Sequence, residues 1–86
     1  MKYSEILTKI IEMIDNYDKK WEKKPAAIVI PYLQFIKFYQ RHSYKEEIKD
    51  INQCELNGVK LFAGENWMTL PTWDLVNNLL MDDTME

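Results

Sequence analysis

Eighty-six residues, nearly half of them hydrophobic and 13% aromatic, make one domain rather than two and exclude a disordered chain. One cysteine, Cys54, excludes an internal disulfide and suits a reducing compartment. The net charge of −3 hides an asymmetry: residues 1–64 hold all eleven basic groups against nine acidic ones, and residues 65–86 hold five acids and no base.

The opening segment has helical periodicity. Tyr3, Ile6, Leu7, Ile10, Ile11, Ile14, Tyr17 and Trp21 recur at three- and four-residue steps and trace one apolar stripe. Ser4 is the candidate N-cap, Glu5 and Lys9 form an i,i+4 pair in the favourable order, and Lys19 to Lys24 suit the negative end of the helix dipole. Pro25 is expected to stop the helix, because the residue before a proline is driven out of the α region. Ala26-Ala27-Ile28-Val29-Ile30, bracketed by Pro25 and Pro31, reads as a short buried strand. Pro31 then suits the first turn of a second helix, buried on most of its circumference by Tyr32, Leu33, Phe35, Ile36, Phe38 and Tyr39. His42 and Ser43 are expected to break it. The alternative for 26–39 is one long strand, but strict alternation is absent. Ser43 and Glu46 have capping-box spacing and predict a short helix or turn with Tyr44, Ile48 and Ile51 inward.

Residues 53–62 carry the clearest local signal. Asn57-Gly58 supplies the two positive-φ positions of a type I′ turn. A two-residue loop sets Leu56 opposite Val59, Glu55 opposite Lys60 and Cys54 opposite Leu61. Cys54, Leu56, Val59 and Leu61 then share an apolar face, with a Glu55–Lys60 pair on a wet one. Gly64-Glu65-Asn66 predicts a turn, and Trp67 to Pro71 predicts either a loop or a strand ending at Leu70. A last helix is expected over about 71–81, capped by Thr69 or Thr72, with Trp73, Val76, Leu79 and Leu80 inward. Residues 82–86 read as a frayed acidic tail, since Asp82, Asp83 and Glu86 oppose the dipole. The expected fold is therefore a single α+β domain over residues 1–86. Its order is helix, strand, helix, short helix, hairpin, helix, with helices on one face of a sheet of at least three strands.

Chemistry-bearing residues are sparse. His42 is the only histidine and, at a helix end beside Arg41, reads as a solvated surface residue. One histidine and one cysteine do not make a structural zinc site, no acidic run matches a calcium loop, and Gly58 and Gly64 do not form a phosphate loop. Glu46 and Glu47 diverge on a helix and Asp82 and Asp83 sit in the tail, so neither pair makes an acid/base site. No catalytic residue, metal or cofactor is expected. A small enzyme would need a pocket around His42 or Cys54, and Cys54 reads as a small buried hydrophobe.

Two features bear on binding. Lys19-Lys20-Trp21-Glu22-Lys23-Lys24, with Lys37 and Arg41 if the second helix lies beside the first helix's C-terminus, offers cations around an aromatic, as single-stranded nucleic acid requires. Trp21, however, continues the apolar stripe and is expected to point inward. The other feature is aromatic surplus: eleven aromatics exceed what so small a domain buries, and Phe62, Trp67, Met68 and Trp73 cluster within twelve residues. These four are the candidate partner-binding residues.

The order strand, Pro31, aromatic helix, then Leu56-Asn57-Gly58-Val59-Lys60-Leu61 resembles a segment of tailed-phage capsid proteins over residues 26–62. The chain is smaller than a capsid subunit and lacks the long spine helix of that fold. What the resemblance implies is a small protein of phage or mobile-element origin that binds a host or viral partner without catalysing a reaction. The functional expectation is thus a non-enzymatic protein-interaction module, binding a protein partner or a second copy of itself. The alternative is a nucleic-acid-binding accessory protein using Lys19, Lys20, Lys23, Lys24, Lys37 and Arg41. No apolar run approaches a membrane span, and Met1-Lys2-Tyr3-Ser4-Glu5 starts an amphipathic segment rather than a secretory signal. A cytoplasmic location is the corresponding expectation.

Overall fold

The apolar run between Pro25 and Pro31 becomes β1 (Ala27–Pro31), the element on which the rest is assembled. The structure is a computed structural model describing residues 2–46 and 54–84. The other elements are α1 (Tyr3–Trp21), α2 (Tyr32–Glu46), β2 (Glu55–Leu56), β3 (Val59–Gly64), β4 (Met68–Leu70) and α3 (Trp73–Thr84). The fold is a small α+β domain built on a four-stranded mixed sheet of order β2-β3-β1-β4. β1 runs parallel to β3, from Ala27 opposite Lys60 to Pro31 opposite Gly64, and antiparallel to β4, with Val29 opposite Met68 and Ala27 opposite Leu70. Parallel neighbours need a crossover, and α2 lies within the connection that supplies it. The helix at Tyr32–Glu46 excludes the single long strand over 26–39.

Because β1 is interior, both of its faces are covered, and its residues need no polar alternation. Ile28 and Ile30 point to one side, where they join Ile6, Ile10 and Ile14 of α1, Phe35 and Phe38 of α2, and Cys54, Val59 and Leu61 of the hairpin. Ala27 and Val29 point to the other, where Leu70 of β4 and Val76 of α3 close over them. Each of the large apolar side chains buried here contributes roughly 1.5–3 kcal/mol by leaving water. Helices therefore lie on both sides of the sheet, not on one: α1 and α2 cover the first face and α3 covers part of the second. The face of Lys60, expected to be wet, is partly roofed, with Phe62 half-buried against the α3 cluster.

The hairpin's turn and register match the sequence. Asn57 has φ 53° and Gly58 φ 81°, and the pairs are Leu56 with Val59 and Glu55 with Lys60. The Leu61 amide donates to the Cys54 carbonyl at 3.0 Å, so Cys54 and Leu61 also face each other, and both are buried. The stretch left open between loop and strand is the edge strand β4.

Element ends differ more. α1 stops at Trp21, where Glu22 turns into the left-handed region (φ 57°) and its amide donates to the Asp18 carbonyl. The helix thus ends by its own C-cap before Pro25 is reached. Its N-cap is Lys2 rather than Ser4, and the Glu5 carboxylate accepts the Lys2 amide at 3.0 Å. Ser4 lies inside the helix, its carbonyl accepting the Thr8 hydroxyl. α2 continues through His42 and Ser43 to Glu46, so the expected break is absent and Ser43 lies within the helix rather than capping a new one. Packing of Phe35, Phe38 and His42 on the sheet carries the helix past residues of low propensity. Ile48 and Ile51 lie outside the described residues. α3 starts as expected, with Thr72 Oγ1 accepting the Leu75 amide, and extends through Asp82 and Asp83 to Thr84.

Candidate functional site

α2 buries one stripe, Phe35, Phe38 and His42, and turns a second set of residues outward. Tyr32, Leu33 and Ile36 are 58%, 74% and 49% exposed. They are followed on the same outward face by Lys37, Gln40 and Arg41, all exposed. Two i,i+4 rows result, 32-36-40 and 33-37-41, each apolar toward the helix N-terminus and polar or basic toward its C-terminus. The expectation that the apolar residues of 32–39 are mostly buried is overturned, because the sheet and α1 together contact only one side of α2.

The apolar end continues into a cleft of about 290 Å³ where β1 and β3 end, with Tyr32, Gly64, Glu65, Asn66 and Met68 in its walls. Met68 is itself 46% exposed on edge strand β4. The basic end continues into a cleft of about 480 Å³ between α1 and α2, lined by Lys2, Tyr3, Ser4, Lys37, Gln40 and Arg41. Three cations and no acid line it, with the Arg41 guanidinium over the Tyr3 ring at 5.9 Å.

The four partner-binding candidates are not brought together as a set. Trp67 is partly buried against the α1/α2 core, with Lys9 Nζ 5.2 Å above its ring, whereas Phe62 packs into the cluster on the opposite side of the sheet. Met68 and Trp73 stay exposed, and Trp73 therefore does not point inward as expected. The basic set is split as well. Arg41 and Lys37 lie beside the N-terminus of α1, not its C-terminus, so about 25 Å of helix separates them from Lys19 and Lys20. Within the other group, Lys24 Nζ donates to the Asn57 carbonyl at 2.9 Å and pins the hairpin turn. Trp21 is 56% exposed, tilted against Tyr17, with Lys20 Nζ 5.3 Å from its ring, and so does not continue the buried stripe.

His42 is the other correction. It is buried, stacked on Phe38 with ring centroids 4.7 Å apart, its Nδ1 3.5 Å from the Tyr3 hydroxyl and its Nε2 3.2 Å from the Glu55 carbonyl. A carbonyl only accepts, so Nε2 carries a proton and donates to Glu55, while Nδ1 lies within hydrogen-bond reach of the Tyr3 hydroxyl. Glu55 alternates with the hydrogen-bonded Cys54–Leu61 pair, so its carbonyl points away from β3 and is taken up by His42 instead. The residue ties α1, α2 and β2 together, a structural assignment that leaves it no free nitrogen. Burial pushes the Cys54 thiol up from 9.0 to about 11, Lys60 opposing and Glu55 adding slightly, which keeps it protonated and unreactive. Among the described residues no group of three or more His, Cys, Asp or Glu is placed to hold a metal, and no helix is long and apolar enough to cross a membrane.

No protein-family model matches the chain, and neither a curated protein nor a solved structure matches it.

The residues that sequence reasoning missed are Tyr32, Leu33 and Ile36. A signal was present: Phe35 and Phe38 already supply a buried stripe at helical spacing, and three further large apolar residues on the same two turns exceed what one packing face takes.

Proposed function

We propose that the chain is a non-enzymatic protein-interaction module that docks a partner on the outward face of α2. The observation that carries this reading is the exposure of Tyr32, Leu33 and Ile36 side by side on one helix, continuous with Met68 through the cleft. Single exposed apolar residues are ordinary on any surface, whereas a contiguous patch rimmed by polar groups marks an interaction site. An origin in a phage or mobile element belongs to the same proposal and rests on the resemblance over residues 26–62. Photo-crosslinking tests the docking reading. A benzophenone side chain at position 33 or 36 should give a discrete adduct in extract of the producing cell, and the same group at exposed Glu12 should give none. Equal labelling at all three positions, or none at 33 and 36, removes the reading.

A second reading has one observation in its favour. Exposed Trp21 beneath Lys20, with Lys19 and Lys23 nearby, is a stacking group among cations, as single-stranded nucleic acid requires. Asp15, Asp18 and Glu22 offset much of that charge, and Lys24 is engaged by the hairpin, which places this reading second. Its signature is affinity for an oligonucleotide that falls steeply with salt and disappears in Trp21→Ala.

A further inference from the structure

We infer that the partner held by the α2 face is an acidic amphipathic helix, an inference that rests on the docking reading above and specifies its chemistry. The face has two halves along one axis. Tyr32, Leu33 and Ile36 form the apolar half; Lys37 and Arg41 form the basic half, and Lys2 joins them across the 480 Å³ cleft. Among the described residues no side-chain ion pair joins these three cations to a carboxylate, the Glu5 carboxylate being held by the Lys2 backbone amide, and no acid lines the cleft. Three like charges facing one cleft repel one another, and an incoming anion relieves that repulsion.

The two halves together select the class of anion. Leu33 and Ile36 offer no π-face for a base, and the one aromatic of the apolar half, Tyr32, lies at the end away from the cations. A nucleic acid would use the basic half and waste the apolar one. A polypeptide with apolar anchors at one end and carboxylates at the other uses both. The partner is helical because the middle of α2 has its backbone groups spent within the helix, so an extended chain laid across it would find no ladder to join. Residues 32–41 span about 13 Å, between two and three turns, and a partner helix of three to four turns covers the face and reaches the cleft.

The test is selection of helix-forming peptides, randomised at their surface positions, against the full chain. Enriched peptides should combine apolar residues at i, i+3 or i+4 with Asp or Glu one to two turns away. For the tightest, Lys37→Glu with Arg41→Glu should weaken binding by at least about tenfold. A peptide with lysines in place of its acids should regain binding to that variant. Lys37→Ala with Arg41→Ala serves as a milder version should the reversal perturb folding by circular dichroism. Neutral or basic peptides that are indifferent to the reversal yet lost in Leu33→Asp overturn the acidic partner and leave the docking reading standing. Peptides untouched by both Leu33→Asp and Ile36→Asp, or no enrichment at all, overturn both. Two further outcomes also overturn the proposal. One is an oligothymidylate that binds the parent but not the reversal variant while no peptide enriches. The other is a dimer in sedimentation that Leu33→Asp abolishes while no peptide enriches.

Discussion

Truncating His42 is the sharpest test of how the fold is held. His42→Ala removes the ring that stacks on Phe38, the Nε2–H that satisfies the Glu55 carbonyl, and the Nδ1 that meets the Tyr3 hydroxyl. An aromatic pair contributes about 0.5–1.5 kcal/mol beyond its burial. An orphaned buried acceptor costs about 1–3 kcal/mol. The Glu55 carbonyl belongs to an exposed residue at an edge, so water takes part of that cost, and we expect a total loss of about 2–4 kcal/mol. A domain of this length has about 4–13 kcal/mol in all, so the loss is a large share. Three variants separate the contributions. His42→Gln keeps a donor near the Nε2 position and should cost about 1 kcal/mol; His42→Leu keeps volume without a donor and should fall between Gln and Ala. Urea unfolding at neutral pH, followed by circular dichroism with a common m-value, reads the series. A His42→Ala variant within about 0.5 kcal/mol of the parent would show that the residue is on the surface after all, and the tie between α2 and β2 would fall.

Four further outcomes are expected. Gly58→Val should cost about 1–3 kcal/mol, and several degrees in Tm, because φ 81° is forbidden to a β-branched residue; exchanging Glu55 and Lys60 should be nearly neutral, both read by thermal melts. Gly64→Ala should cost about 1–3 kcal/mol because its methyl group would collide with Val29 Cγ1, and the penalty should shrink in a Val29→Ala background, giving a measurable coupling in a double-mutant cycle. Cys54 should resist alkylation at pH 8 until the chain is denatured. Since its folded pKa is raised from 9.0 to about 11, the unfolded chain loses this proton first, so stability from the thiol is complete below about pH 9 and declines toward pH 11, a slope that Cys54→Ala should remove. Leu33→Asp should leave stability within about 0.5 kcal/mol of the parent and shorten retention on a hydrophobic-interaction column.

What was legible in the sequence was what local stereochemistry decides. Asn57-Gly58 fixes the turn, the turn fixes the register, and the register fixes which of residues 54–61 are buried. The isoleucine ladder of α1 and the proline-bracketed β1 were readable for the same reason: periodicity and breakers act within a few residues. Element ends were less so. Trp21 and Glu22 carry no capping sequence signal, and α2 runs through Ser43 because tertiary burial of Phe38 and His42 outweighs local preference. The greatest misjudgement concerned His42. Its partners are Tyr3, 39 residues earlier, and the Glu55 carbonyl, 13 residues later, and a backbone acceptor from another element leaves no mark in composition.

The same limit governed the candidate surface, and there it works in reverse. Burial in α2 is decided by how much of its circumference the neighbours reach. α1 meets it through Tyr3 stacked on Phe38, and the sheet meets it through the cluster containing Phe35 and Phe38. Those contacts occupy one stripe, and nothing among the described residues covers Tyr32, Leu33 and Ile36. A helix selected only for stability would carry polar residues there, since exposed leucine and isoleucine add no burial to the fold and carry an aggregation hazard. Three large apolar side chains on that face, grading into Gln40 along one row and into Lys37 and Arg41 along the other, are what supports the proposed docking surface. On the docking proposal, the stripe that folds the domain and the stripe offered to a partner are two sides of one helix, separable by mutation: Phe38→Ala should cost stability, and Leu33→Asp should cost binding alone.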